Sequence, residues 1–167
     1  MSNQPTSAAE ARARVTELAR TARICMLTTT ALDGRQLSRP MALQEAEFDG
    51  DLWFFAFADS AKVRQLRVNP EVNVAFSDQK HNSWVSISGT ATEEFDRVRA
   101  EQLWSPLLKA WFPDGVDTPG LTMIKVHSSS AEYWDSPNST VVNLLDYAKA
   151  AVTGRPPQTG ENHEVTY

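Results

Sequence analysis

The sequence predicts a mainly β fold with flanking helices, in which about six antiparallel strands curl toward a barrel. Three observations carry this. Two Asp-Gly pairs, Asp33-Gly34 and Asp49-Gly50, stand between strand-like runs at hairpin spacing. Val72, Val74 and Phe76, then Val85 and Ile87, alternate with polar residues as half-buried strands do. Residues 52–57, Leu-Trp-Phe-Phe-Ala-Phe, are apolar on both faces, which suits a central strand covered on each side.

A first helix is expected over residues 7–22. Ser7 followed by Glu10 forms a capping-box pattern, and Val15, Leu18, Ala19 and Ala22 recur at helical spacing. Arg12, Arg14 and Arg20 fall on its other faces and read as a solvated surface. Residues 24–30 and 36–44 form the first hairpin about Asp33-Gly34, and residues 46–48 and 51–57 the second about Asp49-Gly50.

Asp59 or Ser60 can then cap a short helix with Val63 and Leu66 on its buried side, ended by Asn69-Pro70. Strands through Val72–Phe76 and Val85–Gly89 follow, the second continuing through residues 90–92. Residues 94–104 and 106–112 read as helices, with Pro113-Asp114-Gly115 as the stop. Residues 121–126 form a strand that resumes at 131–134 after a bulge near residues 128–130. A last helix is expected over residues 141–152, closed by Gly154, and the tail from Gln158 is polar and expected to be loose. Residues 1–136 thus make the barrel domain, and 137–167 a C-terminal helix and tail packed on it. Antiparallel strands of this number close readily, because closure removes exposed edges.

Composition narrows the function. The 167 residues suit one domain with a sizeable core. A net charge of -5 argues against a broad face for nucleic acid, while leaving room for a local basic pocket. Nothing in the N-terminal stretch resembles a signal peptide, and no apolar run approaches the roughly 18 residues of a membrane span. A cytoplasmic protein is the expectation. The single cysteine, Cys25, lies in the apolar run Ile-Cys-Met-Leu and reads as a small buried hydrophobe. Five tryptophans are many for this length and suit cores, interfaces and planar ligands.

Common catalytic signatures are missing: no dinucleotide or Walker loop, no nucleophile elbow, no HExxH. His81, His127 and His163 are far apart and read as structural or solvated, and no metal site is expected. One constellation remains. Ser38-Arg39-Pro40-Met41 lies on one strand, and residues 55–62 run from the central strand into a helix start carrying Ser60 and Lys62. A helix N-terminus with a hydroxyl and a cation, approached by an arginine, is suited to an anion. On spacing alone the plainer reading, a helix cap and a solvated lysine, stands ahead.

The order of these pieces resembles the pyridoxamine-phosphate-oxidase-like FMN-binding proteins. These have a strand bearing Arg, an apolar strand ending in an S-x-K turn, a short helix, an Asn-Pro pair, and a strand ending in Gly. Here those pieces are Arg39, Ser60-Ala61-Lys62, Asn69-Pro70 and Trp84–Gly89, with Glu132-Tyr133-Trp134-Asp135 similar to the family's late aromatic strand. Ser38-Arg39-Pro40-Met41, Ala42-Leu43-Gln44 and the tail's Gly-Glu-Asn-His-Glu-Val resemble its general-stress-protein branch.

The resemblance implies a split barrel that dimerises with FMN at the subunit interface. It implies Arg39, Ser60 and Lys62 at the FMN phosphate, and Arg39, Pro40, Met41, Ala42 and Leu43 beside the isoalloxazine. It also implies Phe55 and Ala56 at backbone-contacting positions, Trp84 near the flavin, and Trp134 reaching in from the other subunit. Trp134 as a plain interface tryptophan is an equal alternative. Three departures argue against oxidation of the vitamin itself. Ala61 replaces a second basic residue, Phe55-Ala56 replaces a Tyr-Thr pair, and no late Arg-x-His segment follows Trp134. The resemblance then implies a flavin-dependent oxidoreductase acting on a small molecule, with a nicotinamide cofactor as one electron donor. The alternative is a non-catalytic flavin sensor or store. A haem-binding barrel is a third reading, with His127 as its one strand-end ligand candidate.

Overall fold

The computed structural model describes residues 7–46, 50–135 and 161–167. Helix α1 spans Ala8–Ala22, and the Ser7 hydroxyl accepts from the Glu10 amide at its start as the capping pattern predicts. Strands β1 (Ile24–Thr30) and β2 (Gln36–Ala42) form the first hairpin. Strands β3 (Glu45–Ala46) and β4 (Asp51–Phe57) form the second. Helix α2 (Ala61–Val68), β5 (Glu71–Asp78), β6 (Ser83–Glu94), α3 (Arg97–Leu103), β7 (Leu121–Asp135) and β8 (Glu161–Thr166) complete the order. Among the described residues no helix is long and apolar enough to cross a membrane.

Every strand pairing is antiparallel. The path runs β2-β1-β5-β6-β7-β4-β3, with β8 added to β7. Its two ends, β2 and β3, are neighbours in sequence, joined only by Leu43 and Gln44. The Leu43 amide donates to the Arg23 carbonyl at 2.7 Å and the Gln44 amide to the Trp53 carbonyl at 2.9 Å. So short a link forces the sheet to curl until its ends face each other, and the ladder is left open there: a split barrel.

Alternation along β4 explains its apolar run. Leu52, Phe54 and Ala56 enter the main core with Leu27, Val74, Ile87 and Ile124. Trp53 and Phe55 face a second core with Leu108, Phe112, Leu121 and Met123, on which Phe57 packs. α1 closes the main core with Val15 and Ala19, and the fully buried Val15 side chain contributes about 1.5–3 kcal/mol.

Several expectations need correction. The count of about six strands rises to eight among the described residues, through the two-residue β3 and through β8 in the tail. β8 forms because Tyr133 and its neighbours offer an unpaired edge; Val165 is buried, and the Tyr133 and His163 rings lie 5.0 Å apart. Arg12 and Arg14 are anchored, not solvated. Arg12 donates twice to the Thr166 carbonyl and lies over the Tyr167 ring, and Arg14 grips Asp135, which also accepts from the Ser83 hydroxyl at 2.8 Å.

The helix expected at 94–104 is only Arg97–Leu103, because residues 90–94 stay in β6 opposite β7 and Asp96 supplies the cap. The expected helix at 106–112 is a 3-10 turn, Pro106–Ala110. The bulge falls where expected: Ser88 pairs with Ser130 and Gly89 with Ser128, so Ser129 is the extra residue. Asp49 and the expected helix at 141–152 lie outside the described residues.

Cys25 is buried in the main core, and its thiol reaches the Met41 carbonyl at 3.5 Å. Burial pushes that thiol up to about 12, so almost no thiolate exists at neutral pH. Iodoacetamide should therefore label the native protein far more slowly than the denatured chain, as intact mass would show; equal rates would contradict the burial.

Candidate functional site

The split between β2 and β4 holds a cleft of about 320 Å³. Pro40, Met41 and Ala42 form one wall and Phe55, Ala56 and Phe57 the other. Ile24 and Gln44 lie at its edge, and Leu108, Trp111 and Phe112 supply an aromatic side wall. Phe57 and Phe112 stack with ring centres 4.9 Å apart, which ties the 106–112 segment to β4. Trp111 is 65% exposed although it lines the cleft, so its ring stands at the opening. Lys62 also lines it.

The basic end is assembled from three elements. Lys62 lies in the first turn of α2. Arg39 reaches from β2 across β1, donating to the Thr29 hydroxyl at 2.6 Å and the Leu27 carbonyl at 3.2 Å. Its other terminal nitrogen donates to Gln65 on α2 at 3.3 Å. Burial lowers the Lys62 ammonium from its ordinary value, and the nearby Arg39 charge lowers it further. Burial alone lowers Arg39, which stays charged at neutral pH. Among the described residues neither cation has an ion pair with a carboxylate.

Ser60 occupies the N-cap position of α2, but its hydroxyl makes no cap hydrogen bond. The sequence reading of Ser60 as a plain side-chain cap therefore fails. Its Oγ is buried without a partner among the described residues, a cost normally offset by a hydrogen bond. Two uncompensated cations and an orphaned hydroxyl at a helix start fit a phosphate group, and the apolar remainder of the cleft fits a planar ring system.

The predicted residues divide accordingly. Pro40, Met41, Ala42, Phe55, Ala56 and Lys62 line one cleft. Arg39 and Ser60 do not line it and lie at its basic end, Arg39 through its charge on Lys62 and Ser60 two residues before it. Leu43 points its side chain into the main core and is 4% exposed, which leaves only its backbone for a ligand. Trp84 and Trp134 pair across β6 and β7, away from the cleft. Ile24, Gln44, Phe57 and the 106–112 wall were not foreseen. The Trp111-Phe112 pair and the count of tryptophans were the available signal.

The histidines are committed elsewhere. The His127 Nδ1 meets Asp51 at 2.8 Å, and Lys125 meets the other oxygen of that carboxylate at 2.9 Å. Burial pushes the Asp51 carboxyl up, but these two partners outweigh it and hold it below its ordinary value. His81 meets Asp78 at 2.7 Å within a turn.

Comparison with known proteins places this geometry. The family model described as pyridoxamine 5'-phosphate oxidase like matches residues 10–158. Protein bli-3 of Neurospora crassa is 32% identical over 150 residues, covering 84% of this chain and 72% of that protein. The crystal structure of the general stress FMN/FAD binding protein from Xanthomonas citri superposes with a TM-score of 0.64 at 30% identity, covering 77% of this chain and 89% of that one. General stress protein 26 from Bacillus anthracis shares the fold, with a TM-score of 0.67 at 23% identity over 74% of this chain and 92% of that one.

Proposed function

The chain belongs to the pyridoxamine 5'-phosphate oxidase like family, and on that premise we propose that it binds FMN in the cleft between β2 and β4 and acts as an oxidoreductase on a small molecule. The observation that carries this is the basic end of the cleft: Lys62 and Arg39 without a carboxylate, next to the unpartnered Ser60 hydroxyl. These three would hold the phosphate. Pro40, Met41, Ala42 and the Leu43 backbone would lie beside the ring system, with Phe55 and Ala56 opposite.

Bound FMN would supply the hydride or electron transfer. The chain's part is to anchor the phosphate, orient the ring against apolar walls and exclude water from one side. A cleft that gathers one phosphate site favours FMN over a dinucleotide; the Xanthomonas citri relative is named for both flavins. Cytoplasm is the compartment this reading calls for, since it supplies reduced nicotinamide. Oxidation of pyridoxamine phosphate is not part of the proposal, because Ala61 and Phe55-Ala56 remove a cation and two hydroxyls.

One observation favours a non-catalytic store instead: among the described residues Lys62 is the only ionisable side chain lining the cleft. The two readings separate in one experiment. The purified protein should show the two-band flavin spectrum, and anaerobic addition of reduced nicotinamide should bleach it. A flavin spectrum that no nicotinamide bleaches supports the store; a sharp Soret band overturns both.

The proposal includes a homodimer. Pro40, Met26, Ala75, Ser86 and Glu132 lie in register across the outer face of the sheet, with Trp84 and Trp134 one step along. Ile24 is 55% exposed there, and Met26 and Trp84 are each 43% exposed. A groove of about 490 Å³ crosses this face, and Ile24 lines both groove and cleft. A second copy seated on it would cover Ile24 and Met26 and bring Trp84 and Trp134 to the other copy's cleft. Sedimentation should give a dimer that retains flavin, and Met26→Glu should shift it toward monomer with flavin release. A stable flavin-loaded monomer of the unmodified chain would contradict the arrangement.

A further inference from the structure

We infer that Thr29 and Gln65 are positioning residues that make this site selective for a phosphorylated flavin, by holding Arg39 with uncharged groups so that its charge stays available. The inference rests on the phosphate reading above.

The geometry is a closed triangle. Arg39 donates to the Thr29 hydroxyl at 2.6 Å and to the Gln65 side-chain oxygen at 3.3 Å. Thr29 donates its own hydroxyl proton to that same Gln65 oxygen at 2.6 Å. The three residues come from β2, β1 and α2, so the triangle stitches the helix that carries Lys62 to the strands that carry Arg39. Thr29 is 1% exposed. Its hydroxyl both accepts and donates here, and loses one role if either partner is changed.

A guanidinium has five N–H donors. Three hydrogen bonds are formed, to Thr29, Leu27 and Gln65, which leaves two donors unspent. Every acceptor is neutral: a hydroxyl, a backbone carbonyl and an amide. A glutamate at position 65 would hold the guanidinium more strongly, since charge-assisted bonds are the stronger kind. It would also cancel the charge. Glutamine fixes the direction and leaves the field intact.

Lys62 lies three residues before Gln65 on the same helix, and burial together with the Arg39 charge disfavours its protonated form. This like-charge tension is relieved when an anion binds between the two. Donors fixed before the ligand arrives spend little of the binding energy on ordering. A flavin without a phosphate gains nothing from them.

The test uses the full chain, stripped of flavin, and titrates FMN and riboflavin separately by flavin fluorescence. The unmodified protein should prefer FMN. Gln65→Glu, nearly isosteric, should reduce that preference by about tenfold or more, the loss of one charged contact, while riboflavin affinity holds. Thr29→Val should reduce it and Thr29→Ser restore it. A general packing defect would weaken both ligands together and lower the melting temperature without changing their ratio. If Gln65→Glu keeps the ratio of the unmodified protein, the inference is wrong while the phosphate site stands. If the unmodified protein shows no preference for FMN over riboflavin, the phosphate reading fails first and this one with it.

Discussion

Lys62→Ala should weaken FMN binding about tenfold to a hundredfold and leave riboflavin binding nearly unchanged. Removing a charged hydrogen bond to phosphate costs about 1.5–3 kcal/mol, and each 1.4 kcal/mol is roughly a factor of ten. The upper part of that range is expected, because Lys62 is half-buried where it lines the cleft and the charge is poorly screened there. Alanine is a good helix former, so α2 should persist. Arg39 stays in place, held by Thr29 and Gln65, which keeps the loss partial. Equilibrium dialysis against both ligands separates the outcomes. Equal loss for FMN and riboflavin would mean that the lysine only shapes the cleft, and an unchanged FMN dissociation constant would remove it from the site.

The second large effect concerns stability. Gly89 lies at the bulge where β6 meets β7. A Cβ built there would stand 2.2 Å from the His127 carbonyl oxygen and 2.9 Å from its carbon. Real Cβ atoms do not approach backbone so closely, and no flexible side-chain tip is available to move aside. The two strands must part at the centre of the sheet, beside Ile87 and Ala131 of the main core. Overpacking usually costs about 1–3 kcal/mol, occasionally more, and contact with the backbone of β7 alone, at His127 and Ser128, puts Gly89→Ala at the top. About 3 kcal/mol corresponds to a melting temperature lower by roughly 6–12 °C for a chain of this size. Gly34→Ala is an informative partner: nothing lies within 4 Å of its Cβ, so only the cost of its left-handed backbone, φ 85°, applies. If Gly89→Ala melted no lower than Gly34→Ala, the close approach would be absent in solution.

Much of the architecture was legible because its signals are local. The Asp33-Gly34 turn, the Ser7 cap and the two-faced run at 52–57 each declare themselves within a few residues. The serines at 128–130 interrupt the apolar pattern of β7 and mark its bulge. The basic end of the cleft was legible as an ordered set of short motifs.

What escaped depends on partners far away in sequence. Arg12 reads as solvent-facing because Thr166 lies at the other end of the chain. β8 carries little intrinsic strand signal, and Glu161–Thr166 becomes a strand because β7 offers it an edge. The Thr29–Arg39–Gln65 triangle joins three elements, and no spacing rule links positions 29, 39 and 65. The same holds for the wall formed by Trp111 and Phe112, which tertiary folding brings beside β4.

The strand Glu161–Thr166 has a consequence for any shortened form of the chain. Residues 130–135 of β7 hydrogen-bond to it along their whole length. Cutting before Glu161 would leave those amides and carbonyls as a bare template, ready to recruit strands from neighbouring molecules. The six residues of β8 are a more polar edge than the bare β7 would be, and turbidity on storage would be the first symptom of their loss.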